Sequence, residues 1–169
     1  MNLNQMAFCH ICLTTLDGAN DTALKNLDKY YTAKYNNSPA YKHLMDYRDL
    51  VKRGEISPLL GFKTYNLYAQ TVKNNLVGVK TPLGFEIQGF TPHFVGRMIG
   101  RSALNHKYNR PGVSMKNLLD CLKNGVKGKT QVNRKGESSV QLISNKCIVS
   151  VNPIEKKLIQ CSARKLVKR

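Results

Sequence analysis

The stretch TPHFVGRMIGR, residues 91–101, carries His93, Arg97 and Arg101 at intervals of four. Side chains spaced this way project from one side of an α-helix. The spacing therefore predicts an imidazole in line with two guanidiniums and no carboxylate among them. That grouping suits the cleavage of RNA by its own 2′-hydroxyl. The reaction needs a group to take the hydroxyl proton, a group to protonate the departing 5′-oxygen, and donors for the extra negative charge on the phosphate. A histidine titrates near neutrality, and its proton transfer is worth roughly 10²–10⁴-fold in rate. An arginine holds two phosphate oxygens at once, and neutral donors extend the oxyanion site. His93 is the expected general base or acid, with Arg97 and Arg101 as phosphate clamps. Ser150, Asn152 and Ser162 are the expected neutral catalytic donors. His106, Lys107, Arg110, Lys127, Lys129, Arg134 and Gln160 form the expected nucleic-acid contact surface, with His106 as a second proton carrier.

Each residue alone has a plainer reading. A histidine in the first turn of a helix is usually structural, paired arginines usually line a solvated face, and serines occupy any half-buried sheet. Their coincidence in one basic segment favours chemistry. Counting residues 1–75 gives 9 Lys+Arg against 6 Asp+Glu, or +3, whereas residues 76–169 have 18 against 4, or +14. A field of that sign and placement favours a polyanionic partner, nucleic acid before an anionic membrane surface. No apolar run approaches the roughly 18 residues of a membrane span, and no secretory signal pattern is visible.

The same half argues against metal and cofactor chemistry. Its carboxylates are Glu86, Asp120, Glu137 and Glu155, none adjacent to another, so no magnesium cluster is expected. Cys9 and Cys12 form a C-x-x-C around His10, but a zinc site calls for a second close pair and His43 stands alone. A Cys9–Cys12 disulfide is the other option. Cys121, Cys147 and Cys161 fall at apolar positions and read as core.

The elements that must position these groups follow from periodicity. Residues 21–35 show a helical period with Asp21 as cap, Pro39 interrupts, residues 41–54 resume it towards Gly54, and residues 57–74 suggest a third helix. The tyrosines here read as packing groups. Thr81-Pro82-Leu83-Gly84 reads as a turn between two short strands. Residues 91–104 read as a helix capped by Thr91 with Pro92 in its first position, followed by a basic loop to residue 113. Ser114 caps a second helix that Gly125 ends. Residues 130–134, 139–144, 147–152 and 157–163 then alternate with period two, the signature of an antiparallel meander. Val140, Leu142, Cys147, Val149, Val151, Ile159 and Cys161 fall on an apolar face, and Ser139, Gln141, Ser150, Asn152, Gln160 and Ser162 on a polar one. The expected class is α+β: a small helical domain over 1–75, then two helices and a four-stranded antiparallel sheet over 76–169.

GFEIQGFTPHFVGRMIGR, RPGVSMKNLLDCLKNG and CIVSVNPIEKKLIQCSA resemble the C-terminal toxin domains of bacterial polymorphic and contact-dependent inhibition systems. Those domains read G-F-T-x-H-x-x-x-R-x-x-x-R, then G-V-S opening a helix, then a strand pair on V-x-V-N-P. They are similar to the barnase/EndoU/colicin/RelE-like ribonuclease superfamily. The resemblance covers roughly residues 76–169. It implies a metal-independent RNase toxin needing no cofactor, often cutting tRNA, with a cognate immunity protein expected to be acidic. Such toxins are secreted or delivered from a cell surface and act in the target-cell cytoplasm. The resemblance supports His93, Arg97, Arg101 and Asn152; a threonine or tyrosine role of other members falls here on Ser139, Ser150 or Ser162. Pro111 departs from the family's arginine-then-glycine order. By position, residues 1–75 resemble the translocation domain that uses an inner-membrane receptor of the target cell.

The competing reading is a non-catalytic basic module that binds RNA or DNA. Helices 91–104 and 114–124 would form a helix-turn-helix, but nine residues separate them where that motif uses three or four. A DNase ranks lower, since DNA has no 2′-hydroxyl, and a membrane-active structural protein would rest on residues 1–75 alone.

Overall fold

The computed structural model describes residues 29–30, 32–36, 38, 40–101, 110–133 and 136–164. His106, Lys107, Arg134 and the Cys9–Cys12 pair lie outside the described residues, as does most of the first expected helix, of which residues 29–30 and 32–35 are helical. The chain divides into two compact units, Met1–Leu67 and Tyr68–Arg169. The division falls within a helix, ahead of the composition change at residue 75.

In the first unit, α1 (Tyr41–Lys52) buries Leu44, Tyr47 and Leu50 along one stripe. Gly54, at φ 65°, turns the chain where Gly54 N donates to Val51 O. The helix α2 (Phe62–Leu76), within which the division falls, buries Phe62 and Tyr65 before it and Ala69, Val72 and Leu76 after it, a spacing of three and four. Tyr47 lies 6.0 Å from Phe62 and 5.7 Å from Tyr65, and Tyr35 meets Phe62 edge-on at 5.0 Å. The tyrosines here are packing groups. His43 Nδ1 sits 2.8 Å from Asn66 Oδ1, an amide contact that holds the ring within the unit.

The second unit is α+β. Its sheet runs β1-β5-β4-β3-β2, with β1 Gly89–Phe90, β2 Val126–Val132, β3 Ser138–Ile143, β4 Cys147–Asn152 and β5 Lys157–Ala163. The pairs β2–β3, β3–β4 and β4–β5 are antiparallel, as the meander predicts. The four-stranded antiparallel expectation needs correction, because β1 adds a fifth strand parallel to β5. Two residues are too short to show any period, so this strand left no trace in the pattern. The expected strand pair around Thr81–Gly84 is reduced to one bridge, Lys80 with Glu86. The first meander strand begins at Val126 and not at 130, directly after Gly125 ends α4 (Met115–Asn124). Its lysines and a register shift between Lys127 and Thr130 break the alternation there.

Two helices cover one face of the sheet. The helix α3 (Pro92–Ile99) buries Phe94, Val95 and Met98, and α4 buries Leu118, Cys121 and Leu122. Facing them are Val140, Leu142, Cys147, Val149, Val151, Leu158 and Cys161, each at most 6% exposed. Each of the valines and leucines among them contributes roughly 1.5–3 kcal/mol of apolar burial. Leu158 takes the place assigned to Ile159. Ser150 pairs with Gln160 while Val151 pairs with Leu158, so Ile159 is the extra residue of a β-bulge and is half-buried. The cysteines are core residues: Cys121 Sγ donates to Leu142 O at 3.2 Å, and Cys147 Sγ to Asn117 O at 3.3 Å. The Cys121 thiol beside it, together with burial, pushes the Cys147 thiol well above the usual range.

Both ends of α3 are fixed by identifiable contacts. Thr91 Oγ1 accepts from Phe94 N at 3.2 Å and donates to Ile159 O at 2.8 Å, while Thr91 N donates to Leu158 O at 2.9 Å. One residue therefore caps the helix and staples it to β5. At the other end Gly100 adopts φ 85° and ψ −174°, a region open almost only to glycine. A Cβ there would lie 2.8 Å from Arg110 O and 2.9 Å from Gly112 Cα. The expected helix to residue 104 thus stops at Ile99. Val113 N then donates to Met98 O at 2.9 Å, tying the returning chain to the helix end.

Replacing Gly100 with Ala is expected to cost at least about 2 kcal/mol, from strain plus backbone overlap, read as a lower denaturant midpoint and faster hydrogen exchange at Val113 N. Thr91→Val is expected to cost about 1–2 kcal/mol through the lost cap, with Thr91→Ser recovering most of it in the same unfolding assay.

Candidate functional site

The early stop of α3 rearranges the expected line of cations. His93 and Arg97 remain on the helix, one turn apart, and Arg97 Nε donates to His93 Nε2 at 3.2 Å. For Nε2 to accept, the ring proton of the neutral imidazole sits on Nδ1. Arg101 is not on the helix, which corrects the spacing-based reading. Its backbone instead pairs with Arg110, N to O at 2.7 Å in both directions.

That pairing brings Arg110 back to α3. Arg110 Nη2 reaches Gly96 O at 3.5 Å. The guanidiniums of Arg110 and Arg97 both act on Cys161, whose thiol burial pushes up to about 12 while the two cations pull it the other way. His93, Arg97, Arg101 and Arg110 are all half-buried. Arg110, expected only as a loop contact to nucleic acid, is a member of the cluster itself. Arg97 and Arg110 thus converge on the helix-covered side of the sheet, beside β5.

The expected neutral donors are not part of this cluster. Ser150, Gln160 and Ser162 alternate with Val149, Val151 and Cys161, so they lie on the face that α3 and α4 do not cover. Cys161 Sγ points to Phe94 O at 3.9 Å, which fixes α3 on the opposite side. Strand alternation therefore separates the two sets of residues that sequence reading joined. Ser150 is 6% exposed, set between its register partners Gln141 and Gln160, while Gln160 and Ser162 are exposed. Asn152 shapes the β4–β5 turn, where its Oδ1 accepts from Ile154 N at 2.9 Å and Glu155 N at 3.0 Å. Ser139 Oγ lies 3.4 Å from Gln131 O. Lys127 and Lys129 are exposed on β2, the far edge of the sheet.

Three of the four carboxylates in the basic half are engaged elsewhere. Asp120 takes Asn124 Nδ2 at 3.0 Å, Glu137 takes Asn133 Nδ2 at 2.6 Å, and Glu155 pairs with Lys157 at 3.1 Å. Among the described residues no group of three or more His, Cys, Asp or Glu gathers as a metal site requires. Among the same residues no helix is long and apolar enough to cross a membrane. The arrangement can hold an anion with guanidiniums on one side of an imidazole whose Nε2 carries a lone pair.

The signals for Arg110 were present in the sequence. Gly100 is a helix-stop residue, and Pro111-Gly112 is a chain-breaking pair after Arg110. No protein-family model matches the chain, and neither does any characterised protein or solved structure.

Proposed function

We propose that Tyr68–Arg169 is a metal-independent endoribonuclease whose centre is His93 with Arg97, Arg101 and Arg110, and that it acts on tRNA as an interbacterial toxin. The observation that carries this reading is the hydrogen bond from Arg97 Nε to His93 Nε2. A guanidinium seated on the imidazole lone pair gives the site a resting and a loaded state. When a phosphate takes Arg97, Nε2 is released beside the ribose and accepts the 2′-hydroxyl proton. Arg97 and Arg110 then hold the phosphate oxygens as charge develops, each guanidinium with a fork of donors matched to two oxygens. The proton held by His93 returns to the 5′-oxygen as it leaves, so one imidazole serves both steps. Delivery by secretion or from a cell surface, an inner-membrane receptor for the residues before the basic unit, and an acidic immunity protein complete this reading.

A second reading, an RNA-binding module without catalysis, draws on one observation: Ser150, Gln160 and Ser162 stand on the opposite face from His93. Total RNA incubated with the full chain and excess EDTA separates the two. Cleavage is expected, and His93→Ala is expected to lower its rate by about 10²–10⁴-fold. Ser150→Ala and Ser162→Ala are expected to retain the wild-type rate. An RNA carrying a single 2′-deoxy sugar at the mapped cut is expected to survive intact. RNA that is retarded without being shortened, or cut equally by His93→Ala, overturns the nuclease in favour of the binding module.

A further inference from the structure

We infer that the outer edge of β2 is a docking surface for an extended strand from an acidic protein. It goes beyond the nuclease reading and does not depend on RNA cleavage.

The strand β2 is the last in the sheet order, paired on one side only, with β3. Among the described residues no element pairs with its other side. Over its seven residues only Gly128 is half-buried and the rest are exposed. A sheet edge of that length presents a row of N–H and C=O groups that another strand can complete. Val126 is 72% exposed and Val132 67% exposed. They stand on opposite faces of the strand, since Val126 pairs with Ile143 and Val132 with Ser138. An incoming strand beside β2 would cover both.

The chemistry of the edge selects the partner. Lys127 and Lys129 are exposed, and β2 contains no carboxylate. A second copy of this chain would set lysines against lysines, and like charges directly opposite are destabilising. The register shift between Lys127 and Thr130 further discourages self-pairing. A strand bearing Glu or Asp turns the same lysines into attraction, and the +14 of residues 76–169 steers it inward. Nucleic acid answers the lysines but neither the backbone ladder nor the two valines. β2 lies three strands from β5, about 14 Å at the usual strand spacing. A partner on this edge therefore leaves the His93 cluster accessible to RNA.

The test uses the full chain and, as probe, a seven-residue blocked peptide alternating Val and Glu, with a Val/Lys analogue and an N-methylated Val/Glu analogue as controls. Hydrogen exchange of residues 126–132 is expected to slow with the acidic peptide alone. Lys127→Glu/Lys129→Glu is expected to weaken peptide binding at least tenfold while leaving the far-UV spectrum and melting temperature unchanged. Equal binding of the Val/Lys peptide, binding that survives N-methylation, or protection that appears elsewhere in the chain overturns the inference. So does protection of β2 by tRNA in place of the peptide, or concentration-dependent dimerisation through this edge. RNA cleavage by the wild-type chain is followed in the same samples, so absence of peptide binding with cleavage present, or the reverse, shows which of the two readings has failed.

Discussion

Gly100 and Gly112 let two backbone segments pass where no side chain fits, and the placing of Arg101 and Arg110 depends on that contact. A Cβ on Gly112 would lie 2.6 Å from Ile99 O, as one on Gly100 would crowd Arg110 O. With both absent, α3 ends at Ile99 and the returning chain bonds to Met98 O. Arg101 and Arg110 become backbone partners, and the second of them reaches back to Gly96 O. Had the helix run on to 104, Arg101 would have extended a straight row and Arg110 would have stayed remote from it. The close approach exchanges a row for a cluster, which the proposed nuclease would use to surround one phosphate.

Gathering cations beside a core has a cost. Half-buried guanidiniums lose part of their hydration, and like charges repel more strongly where solvent screens them less. Three of the four carboxylates in residues 76–169, Asp120, Glu137 and Glu155, are bonded elsewhere. Part of the compensation comes from neutral acceptors: His93 Nε2 for Arg97, and the Gly96 carbonyl for Arg110. Such acceptors hold the cations in place without neutralising them. A ligand with oxygen atoms and full negative charge is a better partner than either. That preference is the physical basis for reading the cluster as an anion site and not as packing.

Much of the fold was legible because it rests on local chemistry. Thr91 before Pro92 and Ser114 before its helix gave the N-termini, and both cap as expected, with Ser114 Oγ accepting from Asn117 N. The alternation in 139–144 and 147–152 gave two strands and their inward residues. What stayed hidden depends on partners distant in sequence. β1 exists through its pairing with Lys157 and Leu158, and its own two residues carry no pattern. The bulge at Ile159 inverts one assignment, because an extra residue shifts the period by one. Gly100 was legible as a stop, but the spacing of His93, Arg97 and Arg101 suggested a continuous helix. Asn152 sits on the expected face, yet the turn after it uses its oxygen, which alternation alone does not reveal.

The separation of the sheet's two faces bears on how the unit can work. One face is filled by α3 and α4, so chemistry on that side must occur at the helix margin, where His93 and Arg97 remain half-buried. The other face offers Gln141, Ser150 and Gln160 in one row, with Ile143 and Ile148 paired in the next. Among the described residues no histidine stands on that face. On the proposed nuclease reading, proton transfer is confined to the helix side and falls, among the described residues, on the imidazole of His93. A single residue acting as base and then acid works only if it keeps the proton between the two steps. In the proposed nuclease, a guanidinium beside Nε2 would oppose that retention until a phosphate drew it away, so substrate binding and catalytic competence would become one event.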